Sequence, residues 1–170
     1  MNKRLLIILI SLFLIVIGII FIFIKTNNDN HIIISKINLE IEKGNINQVK
    51  KLIKDVNINQ VYKGNDCYDE MSDNYYCVTP LTMACITGQY ETVKLLIENG
   101  ADVNYKENKK WYNERTPLIF TVEEADKNKY KIVKYLLDNG ADKNIKTTYG
   151  QSALDIAKSN NDKKMIDLLS

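Results

Sequence analysis

One histidine, one tryptophan, two prolines and three cysteines are spread over 170 residues. That scarcity excludes much chemistry. A His-based triad or metal site needs imidazole beside a nucleophile or further ligands in a folded body. His31 stands instead in a polar stretch just past an apolar leader and reads as a solvated linker residue. Cys67, Cys77 and Cys85 form no Cys-x-x-Cys pair, so a zinc site is not indicated. No Gly-rich phosphate loop, Gly-x-Ser-x-Gly or His-Glu-x-x-His occurs. The carboxylate pairs Asp69/Glu70 and Glu123/Glu124 lack the apolar neighbours that raise a pKa for general acid work. The expectation is a protein that is not an enzyme and uses no cofactor, metal or small-molecule substrate. A surplus of one charge sign is missing too. The net charge is +2, and beyond residue 30 the chain carries 20 basic and 20 acidic residues. A neutral body without a basic stripe is a poor nucleic-acid binder.

From Leu5 to Ile24, by contrast, twenty residues run without a charge. At about 1.5 Å per helical residue the run spans roughly 30 Å, the thickness of a bilayer's hydrocarbon core. It is longer than the apolar part of a cleavable signal peptide, and the Lys25-Thr26-Asn27-Asn28-Asp29-Asn30 that follows holds no small-x-small site. A retained transmembrane signal-anchor helix over 5–24 is expected, with residues 1–4 before it and a linker at 25–34. Lys3, Arg4 and the terminal amine outweigh Lys25 and Asp29, which puts the amino end in the cytoplasm and the body on the other side.

The body repeats itself. Thr79-Pro80-Leu81-Thr82-Met83-Ala84 aligns with Thr116-Pro117-Leu118-Ile119-Phe120-Thr121. Each is followed by an apolar pattern, Val93/Leu96/Ile97 or Val133/Leu136/Leu137, with the spacing of one buried helical face. Each copy closes on Asn-Gly-Ala-Asp-x-Asn, at Asn99–Asn104 and Asn139–Asn144. A further copy opens at Gly150-Gln151-Ser152-Ala153-Leu154 and ends at Leu168-Leu169, and a degenerate one runs from about Ser35 to Asn59. Thr79 and Thr116 can cap helix starts, Pro80 and Pro117 suit the first helical turn, and Gly100 and Gly140 suit a left-handed helix end.

These residues resemble the ankyrin repeat, with its Thr-Pro-Leu-His-x-Ala start and period of about 33 residues. The resemblance covers 35–170 and implies an all-α solenoid of four helix-turn-helix repeats with hairpin-like fingers, at about 35–59, 79–104, 116–144 and 150–170. The chain departs from the pattern in two ways. Thr82, Ile119 and Asp155 stand where the signature has histidine. The starts at Thr79, Thr116 and Ser152 lie 37 and 36 residues apart, so residues are inserted, notably Glu123–Lys129 and the long finger Gln60–Val78. Cys67 and Cys77 lie in that finger and can close a disulfide if the body is extracytoplasmic; a ring of this size contributes about 2–3 kcal/mol. Two separate thiols remain the other reading. Cys85 reads as core packing.

The resemblance implies a protein-binding module working through finger tips and concave face. Seven of the ten tyrosines fall in fingers: Tyr62, Tyr68, Tyr75, Tyr76, Tyr105, Tyr112 and Tyr149, with Trp111 beside them. Such rings bury large area at little rotamer cost. The expected contact set is Tyr75, Tyr76, Ile86, Thr87, Tyr105, Lys109, Lys110, Trp111, Tyr112 and Tyr149. A partner protein is expected, docked by a membrane-held scaffold; a dedicated inhibitor or immunity-type protein aimed at one enzyme is the alternative.

Overall fold

A computed structural model describes residues 3–61, 77–125 and 127–170, without the side chains of residues 3–11, 21–29, 31, 55, 109 and 111. Nine α-helices are present among the described residues: α1 Lys3–Glu42, α2 Ile46–Leu52, α3 Pro80–Ile86, α4 Tyr90–Glu98, α5 Lys109–Tyr112, α6 Pro117–Glu124, α7 Lys129–Asp138, α8 Ala153–Ser159 and α9 Lys163–Leu169. A 3₁₀ turn, Ile53–Asp55, follows α2. No strand forms among them beyond one isolated bridge, Lys146 to Ser152.

The helix starts follow from local chemistry. Thr79 and Thr116 accept the amide hydrogens of Thr82 and Ile119 at their N-caps, and a proline occupies the first turn of each helix. Ser152 and Asp155 bond reciprocally in a capping box that opens α8. The ends are equally specific. Past α4, Gly100 N–H donates to Ile97 and Ala101 N–H to Leu96; past α7, Gly140 donates to Leu137 and Ala141 to Leu136. The pair of bonds requires a left-handed residue, and Gly100 and Gly140 supply φ of +86° and +87° without a Cβ penalty.

The first helices of the pairs form one row, α1 on α3 on α6 on α8, and the second helices another, α2, α4, α7 and α9. One continuous core runs through both rows, with Ile34, Ile37, Ile41, Leu81, Leu118, Phe120 and Met165 fully buried. The buried stripe of α4 is Thr92, Val93 and Leu96, and that of α7 is Ile132, Val133 and Leu136. Ile97 and Leu137, expected on that stripe, are half-buried at its edge.

Residues 25–34 are not a break. Helix α1 continues through them, and its last third is the first helix of the first repeat. No glycine or proline lies between Gly18 and Gly44, so no strong helix breaker interrupts it. Within Leu5–Ile24 the side chains of residues 12–20 are described; among the described residues, no helix is long and apolar enough to cross a membrane. Those from Leu12 to Ile17, with Ile19 and Ile20, stand exposed.

Candidate binding surface

The fingers join each second helix to the next first helix, so they gather at the end of the stack where α3, α6 and α8 begin. Asparagine fastens them from one repeat to the next. Asn59 donates from Nδ2 to the Gly100 carbonyl at 3.0 Å and accepts from Asp102 N–H at 2.8 Å. Asn104 repeats the device on Gly140 (2.9 Å) and Asp142 (2.8 Å). One amide thereby satisfies a donor and an acceptor of a neighbouring turn, where an alanine would leave both to water.

Glu107 fixes the second of these fingers more deeply. It is 1% exposed, and its Oε1 accepts from Thr79 N at 2.9 Å and from Thr79 Oγ1 at 2.8 Å. Burial pushes its carboxyl above the ordinary value, opposed by the hydrogen bonds from Thr79 and Thr82. Oε2 is buried without a hydrogen-bond partner. The finger's carboxyl thus serves the start of α3, where Thr82 replaces the histidine of the repeat signature. No local pattern announces this, because the two residues lie 28 positions apart.

The expected contact residues fall into distinct settings. Tyr149 is 74% exposed at the tip of the last finger. Tyr105 is half-buried, and burial followed by Glu107 and Asp102 raises its phenol pKa. Tyr112 is turned inward, packing edge-on against Phe120 at 5.9 Å between centroids. Lys109 and Trp111 belong to α5, though their side chains lie outside the description; Lys110 is exposed on it. Tyr75, Tyr76 and Cys67 lie outside the described residues. Cys77 is disulfide-bonded, and Cys85 is a buried free thiol whose pKa burial pushes up to about 12.

Ile86 and Thr87 sit at the far end of α3, away from the fingers. Ile86 packs half-buried on the core, and Thr87 donates to the Met83 carbonyl at 2.9 Å. Thr87 also borders a cleft of about 540 Å³ formed by the turns at Gly44, Gly88 and Asn128. The inserted residues before α7 close over this edge: Asn128 Nδ2 donates to the Gly88 carbonyl at 2.9 Å. The cleft is of mixed charge, with Lys131 held 3.7 Å over the Tyr90 ring and Glu91 within 4.0 Å of Lys131.

The finger Val103–Arg115, with Lys106, Lys109, Lys110 and Arg115 against Glu107 and Glu114, presents less charge than its composition suggests. Glu107 is buried, and Arg115 turns to Glu123 at 3.1 Å and lies over the Phe120 ring at 5.3 Å. Among the described residues, no cluster of three or more His, Cys, Asp or Glu side chains could hold a metal ion.

Paired helices with glycine ends, threonine-proline starts and interlocked fingers define a repeat solenoid. The family described as "Ankyrin repeats (3 copies)" matches residues 37–147, about two thirds of the chain, and the protein belongs to it. No curated protein matches the chain. Ankyrin repeats mark a protein–protein interaction module, the coarse function that membership supplies.

Proposed function

We propose that the chain is a membrane-anchored docking protein, held by an apolar helix over residues 5–24 and presenting its ankyrin fingers and concave face to a partner protein. The observation that carries the docking role is the interlocked finger row ending in an open aromatic, Tyr149, on a stack of the ankyrin family. Support for the anchor is the uncharged run Leu5–Ile24 and the exposure of every described large side chain from Leu12 to Ile20. Apolar surface open all round a helix suits lipid rather than a second protein face. With Lys3, Arg4 and the terminal amine before the run against Lys25, offset by Asp29, directly after it, the repeats lie on the extracytoplasmic side.

Three measurements test the reading. The full chain should stay with membranes through alkaline carbonate extraction, and deletion of 5–24 should release it; release of the intact chain rejects the anchor. Tyr149→Ala should weaken capture of the partner at least several-fold with an unchanged Tm. Tyr112→Ala should lower the Tm, because it removes packing on Phe120. Unaltered capture by the Tyr149 variant takes the last finger out of the site. Impermeant thiol labelling of intact cells reports the side: reaction at the Cys67–Cys77 finger only after reduction supports an extracytoplasmic disulfide, whereas labelling confined to lysed cells overturns that orientation.

A further inference from the structure

Helix α1 belongs to two parts of the molecule, and that fixes how they face each other. Its last turns lie alongside α3 in the same direction: Asn38 Nδ2 donates to the Val78 carbonyl, just before α3, at 2.8 Å. At the other end of the pair, Gln89, just beyond α3, donates from its side chain to the Ile41 carbonyl. The fingers sit where the first helices begin. Continuing α1 backwards therefore leaves the stack from the finger end, not from the turn end at Gly44 and Gly88. The helix is unbroken from Lys3 to Glu42. Ile34, Ile37 and Ile41 anchor its last part in the core, while Ile32 is 65% exposed where the helix leaves the stack.

We propose that the finger end of the stack faces the bilayer that α1 enters, and that its partner is the membrane-proximal segment of an integral membrane protein. This deepens the anchored reading above and rests on it. From Ile24, the end of the apolar run, to Asn38 is fourteen residues, or about 21 Å of helix. The headgroup layer takes roughly 6 Å of that on each side of a bilayer, leaving a gap of about 15 Å. One layer of polypeptide fits there, since a helix with its side chains is about 10–12 Å across. A large soluble domain does not. Lipid headgroups alone are a poorer match, because attraction to an anionic surface needs a cluster of basic residues. The fingers instead mix Lys106, Lys109, Lys110, Lys143 and Lys146 with Asp102, Glu114 and Asp142. Mixed charges and exposed aromatic area suit a polar protein loop or a helix lying along the membrane.

Trp111, the single tryptophan, lies in the second finger and provides the probe. The full chain, reconstituted in phosphatidylcholine vesicles, is titrated with lipid carrying a spin label on its headgroup. Fluorescence quenching should be several-fold stronger than in a Trp111→Phe/Lys43→Trp variant, whose indole sits at the turn end of the first repeat. Equal or stronger quenching at position 43, or none at either site in chain that floats with the vesicles, overturns the orientation. Failure to float removes the anchor and this inference together, a result distinct from flotation with the quenching reversed. For the occupant, benzoylphenylalanine in place of Tyr149 is photolysed in native membranes. An adduct with a protein that resists carbonate extraction supports the proposal. Adducts with lipid alone, or only with soluble protein, sink it.

Discussion

At Glu107 a carboxyl from one finger is held inside the stack, with one oxygen bonded to Thr79 and the other lacking a hydrogen-bond partner. Burial raises its pKa above the ordinary 4.5. A raised carboxyl binds its proton more tightly in the folded chain than in the unfolded one. Its contribution to stability is therefore complete below about 4.5 and declines as pH rises through the folded value. Glu107→Gln keeps an oxygen for Thr79 and adds a donor beside the partnerless position. Thermal melts from pH 4.5 to 7 should show wild type losing stability relative to the variant as pH rises; parallel curves would show that Glu107 does not titrate this way. Asp155 and Asp162 act in the opposite sense below their ordinary 3.8, because hydrogen bonds from Ser152 and from Lys129 hold their carboxyls low. Their contribution fades as pH falls through that lower range, outside the window of the comparison. Gly88 offers a second test. At φ +67° an added Cβ would lie 2.5 Å from the Lys127 carbonyl, whereas at Gly140, φ +87°, nothing lies within 4 Å. Gly140→Ala should cost about 1 kcal/mol for the left-handed backbone alone. Gly88→Ala should cost clearly more in urea denaturation, since backbone must also move; equal costs would mean the Asn128 turn yields freely.

Between elements, the asparagine bridges are what keep finger and neighbour in register. Asn104→Ala removes a bond to Gly140 and one from Asp142, each contributing about 0.5–1.5 kcal/mol net. A loss of roughly 1–2 kcal/mol is expected, with hydrogen exchange quickening at Asp142 first. Exchange that quickens evenly over the chain would argue against a local bridge. The repeat starts and ends were legible in sequence because their causes are local: Thr79 and Thr116 cap within three residues, and Gly100 and Gly140 terminate the helix beside them. What escaped the sequence is what acts at a distance. Glu107 meets Thr79 across 28 positions, and no residue near either one signals the contact. The finger position of Tyr112 suggests an open contact ring, yet its place against Phe120 depends on the fold of α5. A linker over 25–34, expected between the apolar run and the repeats, is instead continuous helix. The absence of glycine and proline, together with Ile34, Ile37 and Ile41 at helical spacing, was the signal for continuity.

Across the whole molecule, stability in a repeat stack is passed between neighbours, so a terminal repeat matters in proportion to the surface it covers. Here the terminal cover is supplied by the helix that also carries the apolar run. Ile37 is fully buried against the stack, while Ile32, five residues earlier on the same helix, is 65% exposed. Ile37→Ala should cost about 2–5 kcal/mol, the range for emptying a buried aliphatic site. Ile32→Ala should stay within about 0.5 kcal/mol, as an exposed substitution does. Urea titration of the full chain in detergent micelles, followed by far-ultraviolet circular dichroism, separates the two. A small effect at Ile37 would mean that the first repeat is loosely held and that α1 is a tether rather than a beam. A large effect there, with none at Ile32, would show that the carboxyl third of α1 is structurally part of the repeats while its upstream portion is free to enter another medium. Whatever orients the apolar run would then orient the fingers as well, because α1 is unbroken between them.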